Sequence, residues 1–275
     1  MELLIAAGAE VNRRSGAQFS ISNPLEAAIK TASDLEPVEL LLRHGAKWPG
    51  KRELNDWLFF TVVWRPAEMS RRLLQEGADP NQKGFGTPLF IKAAMRADGD
   101  LIEDFLRAGA KVDVVDENGR TALTYAAQRA DAKSVGLLKH AGASLALPDK
   151  EKNVAATWAI AGGHPELVEE LLPAGRLAAD VASQLLARAV LLPAPELVKS
   201  LVQRGACLLP GATDLDGALV VAIQSGDVDL LRSAMAHGLD ANYRVYNAWP
   251  LAAVANRYQQ EAVLAVLAEA KGDAL

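Results

Sequence analysis

Only one cysteine, Cys207, occurs in the 275 residues, which excludes an intramolecular disulfide and a cysteine-rich zinc site. A lone thiol fits a reducing compartment, so a cytoplasmic location is expected. Aromatic residues make up 5% of the chain while half of it is apolar. The core must therefore be built from Ala and Leu, a composition suited to small, closely packed helices. No apolar run reaches the roughly 18–20 uncharged residues that span a bilayer. Residues 185–202 come nearest, and Arg188, Pro193, Pro195, Glu196 and Lys199 interrupt them. Basic excess is missing too: a net charge of −5 argues against nucleic acid, which calls for a basic footprint. The four histidines form no H-x-x-x-H pair and no C-x-x-C exists, so neither a metal nor any other cofactor is expected.

What the chain does have is a recurring helix end: apolar residues, a few spacers, then glycine. It reads LLRHGA, LLQEGAD, FLRAGAK, LLKHAGA and LVQRGA, with glycines at 8, 45, 77, 109, 142, 175, 205 and 238. Successive gaps of 37, 32, 32, 33, 33, 30 and 33 residues are the mark of a stacked repeat array. Glycine suits the left-handed residue that closes a helix, because it carries no Cβ to clash. Upstream of each glycine lies a helix start. Thr87-Pro88-Leu89 and Thr121-Ala122-Leu123 are the clearest, Asn23-Pro24-Leu25 and Trp249-Pro250-Leu251 looser. Thr or Asn is expected to cap the first-turn amides, with proline at the first helical position.

Gly119-Arg120-Thr121-Ala122-Leu123, Ala126-Ala127, Gly163-His164-Pro165-Glu166-Leu167-Val168, and Leu73-Leu74 with Gly77-Ala78-Asp79-Pro80-Asn81 together resemble the ankyrin repeat family. The resemblance covers nearly the whole chain and implies an all-α, ankyrin-type helix-turn-helix repeat solenoid with short hairpin-like turns. The expected layout is one continuous solenoid: a half-repeat at 1–12, then repeats at about 23–46, 54–81, 87–113, 121–147, 154–176, 182–208, 217–242 and 249–275. The family's T-P-L-H histidine is replaced throughout, by Glu26, Phe90, Thr124, Thr157, Val220 and Ala252. That histidine helps tie neighbouring repeats together in the family, so this array is expected to be less regular. The N-terminus lacks a signal peptide's basic region and reads as a half-repeat cap or the edge of a fragment.

Little chemistry is expected. His44, His140 and His237 fall in last turns of second helices, where the helix dipole favours positive charge, and His164 holds a family position. Glu103-Asp104 and Glu169-Glu170 read as solvated faces, and Cys207 as an inert thiol. Lys83-Gly84-Phe85-Gly86-Thr87 lacks the spacing of a phosphate loop and reads as a turn. An enzyme is not expected. The resemblance implies instead that turn tips and first-helix faces form a concave binding ribbon. Here it would hold Trp64, Arg65, Phe85, Met95, Arg96, Arg120, Gln128 and Arg129, and at the far end Arg244, Tyr246, Arg257 and Tyr258. Aromatics, Met and Arg are enriched at interfaces. Arginines on an acidic protein suggest a partner protein with an acidic patch, bound by a chain that is a monomer when free. Two roles follow: an inhibitor or immunity-type protein neutralising an enzyme or toxin, or a scaffold belonging to a larger protein with its catalytic or membrane domain elsewhere.

Overall fold

The computed structural model describes residues 7–13, 23–173, 177–192, 194–212 and 214–272. The expected polar loop at 13–22, the glycine at 175 and half of the expected N-terminal half-repeat lie largely or wholly outside them. Packing groups the chain into two units, Met1–Ala126 with Asp131–Ser144, and Ala127–Ala130 with Leu145–Leu275.

Unit 1 contains helices α1 (Pro24–Thr31), α2 (Glu36–Arg43), α3 (Lys51–Trp64) and α4 (Ala67–Gln75), then a hairpin of β1 (Lys83–Gly84) and β2 (Thr87–Pro88). Helices α5 (Leu89–Met95), α6 (Gly99–Arg107), α7 (Ala122–Gln128) and α8 (Ala132–His140) follow, the division falling inside α7. First helices α1, α3 and α5 each pack on their own second helix. They also pack side by side, as do second helices α4, α6 and α8. Small buried residues (Ala28, Ala93, Ala94, Ala126) let the first layer close up, while Leu73, Leu101 and Phe105 fill the second.

The terminating glycines behave as expected. Gly45, Gly77, Gly109 and Gly142 have φ of 85–92°. The amide after each reaches back five residues, as in Ala46 to the Leu41 carbonyl at 2.9 Å and Ala110 to that of Phe105 at 3.0 Å. This pairing satisfies the last carbonyls of each helix. A second periodic position was not legible: the residue closing α5, α7 and the first helices α9 (Ala155–Ala161), α13 (Leu215–Ser225) and α15 (Leu251–Arg257) of unit 2 is also left-handed, at Ala97, Ala130, Gly163, Gly226 and Gln259. Only two are glycine, so the sequence signal is diluted.

Capping departs from expectation in one respect. Asn23 accepts the Glu26 amide at 2.8 Å and Thr121 that of Thr124 at 3.3 Å. Thr87 does not cap: Thr87 and Pro88 are consumed by the hairpin ladder and α5 starts at Leu89. Aspartates cap second helices instead, Asp98 accepting from Leu101 and Asp131 from Ser134, both at 3.1 Å. Asp104 is a further correction. It is buried rather than solvated, because Arg71 Nε on the neighbouring helix donates to it at 2.7 Å. Repeats are also stitched through their loops. The Asn12 amide donates to the Gly45 carbonyl at 2.8 Å and its oxygen accepts from Lys47 at 2.9 Å. Asn81 repeats this with Gly109 and Lys111, and Asp113 accepts the Ser144 amide.

Unit 2 runs through α9 (Ala155–Ala161), a 3-10 turn (Pro165–Leu167), α10 (Val168–Leu171), α11 (Ala179–Val190), α12 (Pro195–Gln203), α13 (Leu215–Ser225) and α14 (Val228–Ala236). A second hairpin, β3 (Arg244–Val245) with β4 (Trp249–Pro250), leads to α15 (Leu251–Arg257) and α16 (Glu261–Gly272). First helices α9, α11, α13 and α15 pack in succession, and so do α14 and α16. The second helix expected at 165–172 is split into the 3-10 turn and the four residues of α10, and Pro173, which cannot donate to the turn before it, follows its end. Helices α11 and α13, at 12 and 11 residues, exceed the seven of α9 and α15. The Gly205 and Gly238 closures match those of unit 1.

Candidate partner-binding surface

In unit 1 the candidate residues converge on an aromatic cluster built by α3 and the first hairpin. The hairpin pairs Lys83 with Pro88 and Gly84 with Thr87. Its two-residue turn, Phe85-Gly86, has φ of 50° and 82°, the both-positive geometry that matches strand twist. Phenylalanine rarely adopts that conformation, and here it leaves the ring 80% exposed. A side chain at Gly84 would overlap the Phe59 ring, so glycine lets α3 close against the hairpin backbone. Phe59 then meets Phe85 edge-on at 5.0 Å and Trp64 at 5.6 Å, while Phe60 lies 5.2 Å from Trp64. Such edge contacts stabilise each pair beyond the area they bury. Trp64 remains 54% exposed.

Cations ring this cluster. The Arg65 guanidinium sits 5.4 Å from the Phe60 centroid and the Lys30 ammonium 6.0 Å. Lys30 is also paired with Glu26 at 2.6 Å. Arg65 has no carboxylate partner among the described residues, and its Nε is buried without an acceptor. Arg96 is not a free contact residue: it donates to the Val62 carbonyl at 2.9 Å and the Arg65 carbonyl at 2.8 Å, closing the end of α3. Met95, beside it, is half-buried.

Arg120 is half-buried at the turn where Asp116 accepts its amide at 3.0 Å. The same carboxylate accepts the Tyr125 hydroxyl at 2.7 Å. Burial first, then this bond to an anion, pushes the Tyr125 pKa up to about 12. Gln128 is half-buried and Arg129 exposed at the end of α7. The Gln128 carbonyl lies where a side chain at Gly162 would stand, which makes that glycine obligatory. One period after Asp116, Asp149 accepts the Trp158 indole at 2.8 Å, so a tryptophan does in unit 2 what Tyr125 does in unit 1.

The remaining candidates lie in unit 2. Tyr246, 63% exposed with φ of 53°, tops the second hairpin. Its amide donates to Asp216 at 2.7 Å, and the Tyr243 hydroxyl donates to the same carboxylate at 2.8 Å. Arg244 donates to the Ala248 carbonyl at 3.1 Å within the hairpin. Arg257 is exposed and Tyr258 half-buried at the end of α15. Sequence reasoning missed Trp249. It is a strand residue 56% exposed beside Tyr246, not a helix cap.

Both hairpins therefore present a left-handed aromatic at the tip, directly before a first helix. A family model of ankyrin repeats, in three copies, matches residues 89–184. Residues 89–184 are ankyrin repeats. No curated protein matches the chain. Ankyrin repeats serve generally as protein–protein interaction modules and are typically non-catalytic. Among the described residues no group of three His, Cys, Asp or Glu side chains could hold a metal, and no helix is long and apolar enough to cross a membrane. The ankyrin glycines at 109 and 142, and the left-handed closures at 97, 130 and 163, all fall inside the matched stretch.

Proposed function

We propose that this protein binds an acidic segment of another protein through its aromatic turn faces, with Trp64, Arg65 and Phe85 as the anchor. The observation that carries this is the pairing of two exposed large aromatics with a guanidinium that has no anionic partner. An exposed ring held against Phe59 loses little conformational freedom on binding, and Arg65 offers charge to a carboxylate. Arg120, Gln128, Arg129 and Met95 extend the surface, and Arg244, Tyr246, Arg257 and Tyr258 form a second contact region in unit 2. The free protein is monomeric and cytoplasmic, with Cys207 a buried thiol. Neutralising an enzyme or toxin is the role we favour, because the Trp64–Arg65–Phe85 anchor is compact and aromatic, as a hot spot that plugs a pocket is.

The test is affinity capture from native extract with the wild type and a Trp64→Ala/Arg65→Ala/Phe85→Ala variant whose fold is checked by circular dichroism. The captured partner is then purified and titrated calorimetrically. A 1:1 complex with an enzyme, weakened by about a hundred-fold or more in the variant, is the expected outcome. Equal affinity of both proteins for that partner would overturn the anchor. Several weak partners would replace inhibition by scaffolding.

A further inference from the structure

Second helices α4, α6 and α8 lie side by side in unit 1, whereas α12 and α14 of unit 2 barely touch. Between them runs a groove of about 620 Å³, open to solvent, floored by Val190 and Val221 and walled by Val198, Val202 and Leu230. Helix register explains the gap. Counting from each N-cap (Pro66, Asp98, Asp131, Ala194 and Asp227), helices α4, α6 and α8 are clasped by two cross-helix ion pairs. Arg71 at the fifth position meets Asp104 at the sixth, and Asp100 at the second meets Lys133 at the second. The same positions on α12 and α14 hold Lys199 with Ser233, and Glu196 with Asp229. One clasp has lost its carboxylate and the other sets two carboxylates on facing helices. The inner filler shrinks as well, from Phe105 at the seventh position of α6 to Ala234 on α14.

We infer that this groove takes an amphipathic helix from a partner protein, lying along α12 and α14 and completing the second layer. Its apolar face covers the valines and Leu230. A Lys or Arg on it supplies the cation missing between Glu196 and Asp229, and a Glu or Asp one turn along supplies the anion missing beside Lys199. Neither Glu196, Asp229 nor Lys199 has an ion-pair partner among the described residues, so the charge pattern stands unmet. Both walls are nine-residue helices, about 13 Å long at 1.5 Å per residue, which suits about two and a half turns of helix laid in a trough. This site shares no residue with the aromatic anchor and does not depend on it.

The probe is a fluorescein-labelled 14-residue amphipathic peptide with Leu at i, i+3, i+4 and i+7 and one Lys and one Glu four residues apart on its flank. Its twin has the Lys replaced by Glu. Fluorescence anisotropy against the full chain should show saturable binding of the first peptide, and about ten-fold weaker binding of the twin, as for a changed rim charge. Val202 is 38% exposed, so Val202→Glu folds, which a thermal melt confirms, and it should reduce binding at least ten-fold. Asp229→Lys, which supplies Glu196 with a cation from within the chain, should abolish the preference between the peptides. The Trp64→Ala/Arg65→Ala/Phe85→Ala variant should bind the probe normally. No saturable binding, or binding indifferent to both Val202→Glu and Asp229→Lys, overturns the proposal. Dimerisation in sedimentation velocity that Val202→Glu abolishes would overturn it in favour of a second copy of this chain.

Discussion

The first-helix layers of the two units are alike and the second-helix layers are not. In each unit the first helices close on alanines: Ala93, Ala94 and Ala126 in one, Ala155, Ala187 and Ala218 in the other. Alanine allows close approach whatever its neighbour, so that layer tolerates sequence drift. The second layer has no such default. It closes from α4 to α8 because Phe105 fills the space and Arg71–Asp104 spans it, and it parts between α12 and α14 where both devices are missing. Repeat arrays of this kind keep their period through backbone closures, and their compactness through a few large or charged side chains.

The sharpest way to break the comparison is Phe105→Ala. The side chain is fully buried, and its loss should cost about 3–5 kcal/mol, read from urea denaturation. It should also give unit 1 a groove detectable by binding of the same apolar helical probe. Asp104→Ala comes next, at about 1–2 kcal/mol by the same measurement. It removes a buried carboxylate but leaves Arg71, which is 37% exposed and rehydrates.

Tyr125→Phe follows, at about 1 kcal/mol near neutral pH. Its greater interest is alkaline. The folded pKa of Tyr125 is raised from 10.0 to about 12. Its contribution is therefore whole below pH 10 and is lost as pH climbs from 10 through 12. Thermal melts across that window should decline less steeply in Tyr125→Phe than in the wild type. In unit 2 the Trp158 indole at the matching position does not ionise, and Tyr243, whose pKa is raised by burial and by its bond to Asp216, carries the alkaline dependence instead. Smallest is the repair. Asp229→Lys with Ser233→Asp transplants both clasps onto α14 and should add about 0.5 kcal/mol, measured by thermal melt, while closing the groove to the probe. A repaired protein that still binds the probe would mean that filler size, not charge, sets the gap.

Much of this was legible from the chain. Helices α7 and α8 fall within the repeat expected at 121–147, and α12 within that expected at 182–208, because glycine and proline act locally. The turn before α5 was legible too, although its residues pair as strands. What escaped was set by tertiary contact. Asp104 looks solvated until Arg71 of the adjoining repeat is placed beside it. Arg96 looks like a contact residue until its guanidinium is found holding the carbonyls of Val62 and Arg65. Trp64, Arg65 and Phe85 do come together, through Phe59 and Phe60. Spacing alone carried no information on the parting of α12 from α14.

The stitches made by Asn12, Asn81 and Asp113 have a mechanical consequence. Each joins one repeat of unit 1 to the next across about one period, through one or two hydrogen bonds at a loop. A pull along the chain loads them one after another, never together. Pro49, four residues past Gly45, offers no such bond, and Asn55 of α3 substitutes by accepting the Asp79 amide at 2.8 Å. Under tension unit 1 should therefore peel in steps, each releasing one repeat, or about 110 Å of extended chain at 3.3–3.6 Å per residue. Each peak force reports a stitch rather than a core.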